Sequence, residues 1–112
     1  ADGAKTYNSI IMSGCEIFGT VENSVLASDV IVKKGAVVKN SIIMGECVIE
    51  ENSVVEYSII DENVSIGKNA VVGESQDAGK GIAVVGRNSV ISDGAVIAGG
   101  EIIEKDNAKE GK

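Results

Sequence analysis

The side chains able to do chemistry in this 112-residue chain are 17 carboxylates, ten Lys and Arg, two cysteines and scattered hydroxyls; histidine is absent. Without histidine there is no Ser-His or Cys-His nucleophile pair, no imidazole base and no imidazole metal ligand. Any catalysis would run on carboxylates, lysines and hydroxyls, and no spacing among them marks a site. No catalytic, cofactor-binding or metal-ligating residue is therefore assigned. Lys5, Lys33, Lys34, Lys39 and Arg87 are the available anion binders, each explained more simply as a solvated surface charge. The glycine-rich stretch GESQDAGKG (73–81), with Lys80, invites comparison with a phosphate cradle, but it lacks P-loop spacing and a following helix.

Composition excludes further classes. A formal charge of −7 and only three aromatics (Tyr7, Phe18, Tyr57) argue against nucleic acid, which needs a basic patch and stacking platforms. No apolar run approaches the roughly 18 residues of a membrane span, and no secretory leader is visible.

The elements that position these residues are strands. Thirty-one Val and Ile stand against a single leucine, Leu26, and β-branched side chains suit pleated sheets better than helices. The chain also repeats itself. VENSVLASDVIV (21–32), VKNSIIMGECVI (38–49) and VEYSIIDENVSI (55–66) align at an offset of 17, while NSIIMSGCEI (8–17) joins them at an offset of 15. Within this period runs a hexad, an aliphatic residue followed four positions later by a small one, as in VKKGAV, IEENSV, IGKNAV, VGRNSV and ISDGAV. Three such segments per coil describe a triangular prism whose sides are short strands, each stacked in parallel on its counterpart one coil on, about 4.8 Å away. The fold class is thus all-β, a single-stranded parallel β-helix with coils of about 17 residues.

The residue before the small one is Gly35, Asn52, Asn69, Asn88 or Gly94, types that tolerate positive φ, so these are read as corners. Asn8, Asn23 and Asn40 recur beside Ser9, Ser24 and Ser41 on another edge, with Tyr57 the one departure. Glu22, Lys39 and Glu56 align at the same offset, as do Lys33 with Glu50, and Lys34, Glu51 and Lys68; these are exposed ladders of alternating sign. Cys15 and Cys47 occupy equivalent inward columns two coils apart, roughly 10 Å, beyond disulfide reach. Free, buried thiols suit a reducing cytoplasm. From Ile66 to Val85 is 19 residues, two more than a coil, which makes residues 74–80 a corner loop. One solenoid domain is expected over 1–103, followed by a polar tail at 104–112.

The pattern resembles the left-handed β-helix of hexapeptide-repeat proteins, and handedness is carried by that resemblance alone. More narrowly, SVLASDV (24–30), then NSIIMGECVIEEN (40–52), SII (58–60), IGKNA (66–70) and the late GIAVVGRNSV (81–90) are similar to the C-terminal domain of bacterial glucose-1-phosphate adenylyltransferases. The resemblance implies a larger enzyme that makes ADP-glucose and pyrophosphate from ATP and glucose 1-phosphate with Mg²⁺, for glycogen biosynthesis. Mg²⁺ and ATP would belong to an N-terminal nucleotidyltransferase domain with a Gly-rich, Arg-containing loop, and nothing like that loop occurs here. In that family the β-helix packs on its own catalytic domain, builds contacts of a homo- or hetero-oligomer (a tetramer) and shares in the effector site. The matching motifs are structural, so effector ligands cannot be carried over to numbered residues.

Other readings compete. A CoA-dependent hexapeptide acyltransferase shares the coil rhythm but relies on a histidine base. An ice-binding solenoid needs ranks of outward threonine, and only Thr6 and Thr20 are present. A related enzyme such as a mannose-1-phosphate guanylyltransferase, or a non-catalytic paralogue, fits as well. Unpaired strands in the first coil are expected to leave an apolar or edge surface at residues 7–25, through which the domain self-associates.

Overall fold

A computed structural model describes residues 4–104. The hexads fold as the rhythm requires, into three parallel sheets that form the sides of one solenoid. The first sheet stacks Lys5–Tyr7, Thr20–Glu22, Val37–Lys39, Val54–Glu56, Val71–Val72 and Val96–Ile97. The second stacks Ile10–Ile11, Val25–Leu26, Ile42–Ile43, Ser58–Ile60, Ala83–Val85 and Ile102–Ile103. The third stacks Glu16–Ile17, Ile31–Val32, Val48–Ile49, Ser65–Ile66 and Val90–Ile91. No α-helix occurs among the described residues.

From the second coil on, the strands turn Val21, Leu26, Val32 and their aliphatic counterparts into the tube, the one place where water is excluded. Val32, Ile49, Ile66 and Ile91 pile up directly on the third side. Val21, Val38, Val55, Val72 and Ile97 do so on the first. All nine are essentially removed from solvent. The small residues Val30, Ala36, Cys47, Ser53, Val64 and Ala70 fill the space beneath the corners and are also buried. At roughly 1.5–3 kcal/mol per fully buried aliphatic side chain, these columns are the main favourable term in folding.

All five predicted corners have positive φ, Gly35, Asn52, Asn69, Asn88 and Gly94 lying between 60° and 79°. So do Asn8, Asn23, Asn40 and Tyr57 on the second edge. The same conformation appears where the sequence reading did not place it, at Asp29, Glu46 and Asn63. These precede the small residues Val30, Cys47 and Val64, so the rule that located the other corners applies here too.

Two departures from the 17-residue period have local causes. Residues 5–17 pair 15 positions on, whereas Thr20 pairs with Val37. The missing two residues are lost at Phe18-Gly19, the first coil's shortened third corner. A Cβ on Gly19 would collide with the Ala36 carbonyl and come within 2.7 Å of the Lys33 carbonyl, so glycine is required there.

The second departure corrects the sequence reading. Val85 does not stack on Ile66 but on Ile60, and Ile66 lies under Ile91, 25 residues on instead of 17. The insertion is therefore eight residues, not two. It leaves the solenoid between the first and second sheets and contains a 3₁₀ turn at Gln76–Ala78, with Ser75 accepting the Asp77 N–H. Residues 105–112, most of the expected polar tail, lie outside the described residues.

Candidate interaction surface

The residues that could bind anions are dispersed. Lys33 reaches Glu50 on the third side at 3.9 Å. Lys39 stands in register between Glu22 and Glu56 on the first. Lys34, Glu51 and Lys68 follow one another up a corner, where the Asn52 N–H donates to the Lys34 carbonyl and the Asn69 N–H to that of Glu51. The Glu51 carboxyl is held below the usual range by its own backbone N–H, with Lys33 and Lys68 adding to the effect. Lys5 lies at the open end of the first sheet, and Arg87 sits on a different corner, beside Asn88. These cations do not converge on one site. Among the described residues no three Cys, Asp or Glu side chains group to hold a metal ion.

N–H groups of the glycine-rich insertion are used within the chain: Gly73 donates to the Ile97 carbonyl, Ala78 to that of Ser75 and Gly79 to that of Gln76. Glu74 folds back onto the last coils, where its Oε2 accepts the Gly99 N–H at 3.0 Å. A Cβ on Gly100 would strike the Lys80 carbonyl, and one on Gly73 the Glu56 carbonyl. The glycines serve close backbone approach between the loop and the coils.

A shallow acidic depression of about 310 Å³ lies along the corner formed by Ser28, Asp29, Gly45, Glu46 and Glu62. Beneath it Cys47 is buried, its Sγ 2.9 Å from the Asp61 carbonyl. Burial above all pushes the thiol up to about 11, with Asp61 and Glu62 adding to the rise and the Val64 and Asn63 N–H groups opposing it. Cys15, expected to be buried, is only half-buried, in the first of the described coils. Both thiols are free.

Sequence reading missed a hydrogen-bonded ladder on the edge of Asn8, Asn23 and Asn40. The hydroxyls of Ser9, Ser24 and Ser41 accept the N–H of Ser24, Ser41 and Ser58 one coil up, at 3.0 to 3.1 Å. Each hydroxyl also donates to the carbonyl two residues back. Recurrence of NS at the coil period was the available signal. The ladder stops at Ala83, whose N–H goes to the Tyr57 carbonyl instead, where the insertion leaves the solenoid.

The start of the solenoid is open. Tyr7, Ile10 and Met12 are exposed, and Ile11, Cys15 and Ile17 are only partly covered. The described residues therefore offer surfaces for partners, and among them no concave site brings reactive groups together.

A family model of the GlmU-like, C-terminal hexapeptide type matches residues 1–84. The chain belongs to this GlmU-like hexapeptide family. Among curated relatives of this member, the glucose-1-phosphate adenylyltransferase of Desulfitobacterium hafniense (strain DSM 10664 / DCB-2) is 35% identical over 108 residues, 94% of this chain and 27% of that protein. The enzyme of the same name from Pseudothermotoga lettingae is 51% identical over 106 residues, 87% of this chain and 25% of its own length. That of Thermosipho africanus is 55% identical over 38 residues, 34% of this chain and 9% of the relative. This hexapeptide domain thus spans about a quarter of the length of the longer-matched relatives.

Proposed function

We propose that this chain is the C-terminal β-helix domain of a glucose-1-phosphate adenylyltransferase, serving assembly and regulation and not catalysis. One observation carries the reading: similarity to enzymes of that name extends over 94% of the chain, through the insertion and the last coils, not over a few hexads alone. The whole enzyme would join ATP and glucose 1-phosphate to give ADP-glucose and pyrophosphate, for glycogen biosynthesis in the cytoplasm. Mg²⁺ and ATP would be held by an N-terminal nucleotidyltransferase domain. Among the described residues no three Cys, Asp or Glu side chains group as metal ligands, and Lys33 and Lys39 stand beside Glu50 and Glu22.

The role left to the solenoid is mechanical. Parallel stacking makes a rigid post, and its open first coil, with Tyr7, Ile10 and Met12 exposed, is the seat for the preceding domain. No described helix is long and apolar enough to cross a membrane.

Three assays test this. The 112-residue chain alone should form no ADP-glucose from ATP and glucose 1-phosphate. The full reading frame containing it should form ADP-glucose, and should lose effector response or assembly when the solenoid is unfolded by substitution. Acyl transfer from an acyl-CoA should be absent. ADP-glucose formation by the isolated chain, or a reading frame without a nucleotidyltransferase domain, overturns the proposal.

A further inference from the structure

Asparagine is followed by serine at Asn8-Ser9, Asn23-Ser24, Asn40-Ser41, Asn52-Ser53 and Asn88-Ser89. Such pairs are open to a spontaneous reaction in which the backbone nitrogen after the asparagine attacks its side-chain carbonyl carbon. Serine, unbranched at Cβ, leaves that approach clear. All five asparagines are exposed, and all five stand at left-handed corners with φ between 47° and 65°. Neither accessibility nor backbone conformation separates them. What separates them is the N–H whose nitrogen must attack. Those of Ser24 and Ser41 are donated to the hydroxyls of Ser9 and Ser24, at 3.0 and 3.1 Å. The N–H of Ser53 goes to the Glu50 carbonyl and that of Ser89 to the Gly86 carbonyl, both at 3.3 Å. Among the described residues nothing accepts the Ser9 N–H, because the ladder of serine hydroxyls begins at Ser9 itself. Ser9 is half-buried, whereas the other four serines are buried. Other corners are closed by other means. Asn63 precedes Val64, whose branched Cβ crowds the attack. Asp93-Gly94 is held from both sides, with the Gly94 N–H on the Lys68 carbonyl and the Lys68 N–H on Asp93 Oδ1, each at 2.8 Å.

We propose that Asn8 is a site of spontaneous deamidation and isoaspartate formation, and that the serine ladder shields Asn23 and Asn40 from the same reaction. The Ser9 backbone nitrogen gives its proton to hydroxide and attacks the Asn8 Cγ, forming the ring C–N bond. The Cγ–Nδ2 bond breaks, and ammonia leaves with a proton taken from water. Water then opens the succinimide at either carbonyl, leaving aspartate or isoaspartate at position 8. Water is the only co-reactant, and nothing is oxidised or reduced. The reaction breaks the hydrogen bond from the Asn8 amide to Asn23 Oδ1 at 2.7 Å. The strand Lys5–Tyr7 is paired on one side only, so this end of the stack opens more readily than the coils within it. Isoaspartate routes the main chain through the side chain and adds one carbon directly after that strand. It thereby displaces the register of Lys5 on Thr20, Thr6 on Val21 and Tyr7 on Glu22. The product is an irreversible mark of age at the entry to the solenoid.

The reaction does not depend on the enzyme assignment and is tested on the 112-residue chain. After weeks at pH 8, trypsin releases residues 6–33 as one peptide that holds both Asn8 and Asn23. Electron-transfer fragmentation locates isoaspartate at each. Conversion at Asn8 should run about tenfold or more ahead of conversion at Asn23 or Asn40, and within about tenfold of the rate in a synthetic peptide of residues 5–12. Exchange of the Asn23 N–H, which donates to the Tyr7 carbonyl at 3.0 Å, should quicken in the aged chain. Ser9→Thr keeps the hydroxyl that serves Ser24 but branches Cβ, and should slow the reaction at Asn8 severalfold with the circular dichroism unchanged. Ser9→Ala removes that hydroxyl, frees the Ser24 N–H and should raise conversion at Asn23 severalfold. Equal conversion at Asn8, Asn23 and Asn40, or none at Asn8 while the synthetic peptide reacts, overturns the proposal. So does a rate at Asn23 that Ser9→Ala leaves unchanged.

Discussion

The backbone N–H of Ser41 donates to the hydroxyl of Ser24 one coil below, at 3.1 Å, while that hydroxyl donates to the Glu22 carbonyl at 2.8 Å. The unit repeats upward: the Ser41 hydroxyl accepts the Ser58 N–H and donates to the Lys39 carbonyl. Ser41→Ala strips a buried N–H of its acceptor, and leaving such a donor unpaired costs about 1–3 kcal/mol. Ser9→Ala, on the exposed first rung, should cost less, because water can replace the hydroxyl. Urea denaturation of both variants checks the order.

The inward–outward alternation is tested at adjacent residues. Ile49 is fully buried between Val32 and Ile66, and Ile49→Asp should unfold the solenoid, since an unpaired buried carboxylate costs several kcal/mol against a total stability of about 5–15 kcal/mol. Glu50→Ala loses the partly exposed pair with Lys33 and a side-chain contact with Glu51, and should change stability by under about 1 kcal/mol. Thermal melts giving equal effects would contradict the assignment of faces.

Cys47 gives the fold a basic limit. Its folded thiol keeps the proton to about 11, whereas the unfolded one releases it near 9.0. The stabilisation from burying the neutral thiol is therefore intact below pH 9.0 and is lost as pH rises toward about 11. Cys47→Val places in the column the residue already found at Val30 and Val64. That variant should fold at neutral pH within about 1.5 kcal/mol of the parent and lose less stability than the parent above pH 9.0. Thiol reagents at pH 8 should label half-buried Cys15 well before Cys47.

Glu46 occupies a left-handed corner at φ 63° with an exposed carboxylate, between Asp29 and Asn63. One coil above Asn63, the Asn63 amide already donates to the Asn88 side chain at 2.8 Å. Glu46→Asn puts a residue tolerant of this conformation on the corner and removes a charge from an acidic strip. It should raise stability by about 0.5–1 kcal/mol, read as an increase in denaturation midpoint.

The period of 17, the inward aliphatics and the Gly or Asn corners were all in the residue order. A tube with one interior and a fixed coil length admits no other arrangement of Val32, Ile49 and Ile66. Only the tertiary structure decided which face receives the chain after the insertion. All three sides use the same hexad, so Val85 points inward whether it stacks on Ile66 or on Ile60, and periodicity is blind to that choice. Packing resolves it: Gly73 lies against the Glu56 carbonyl, the Ala83 N–H finds the Tyr57 carbonyl, and Glu74 ties the loop to Gly99. The outward column of the second sheet, Ile10, Val25, Ile42, Ile59, Val84 and Ile102, was hidden for the same reason, since its last two residues join it only once the eight-residue insertion is assigned to the right corner.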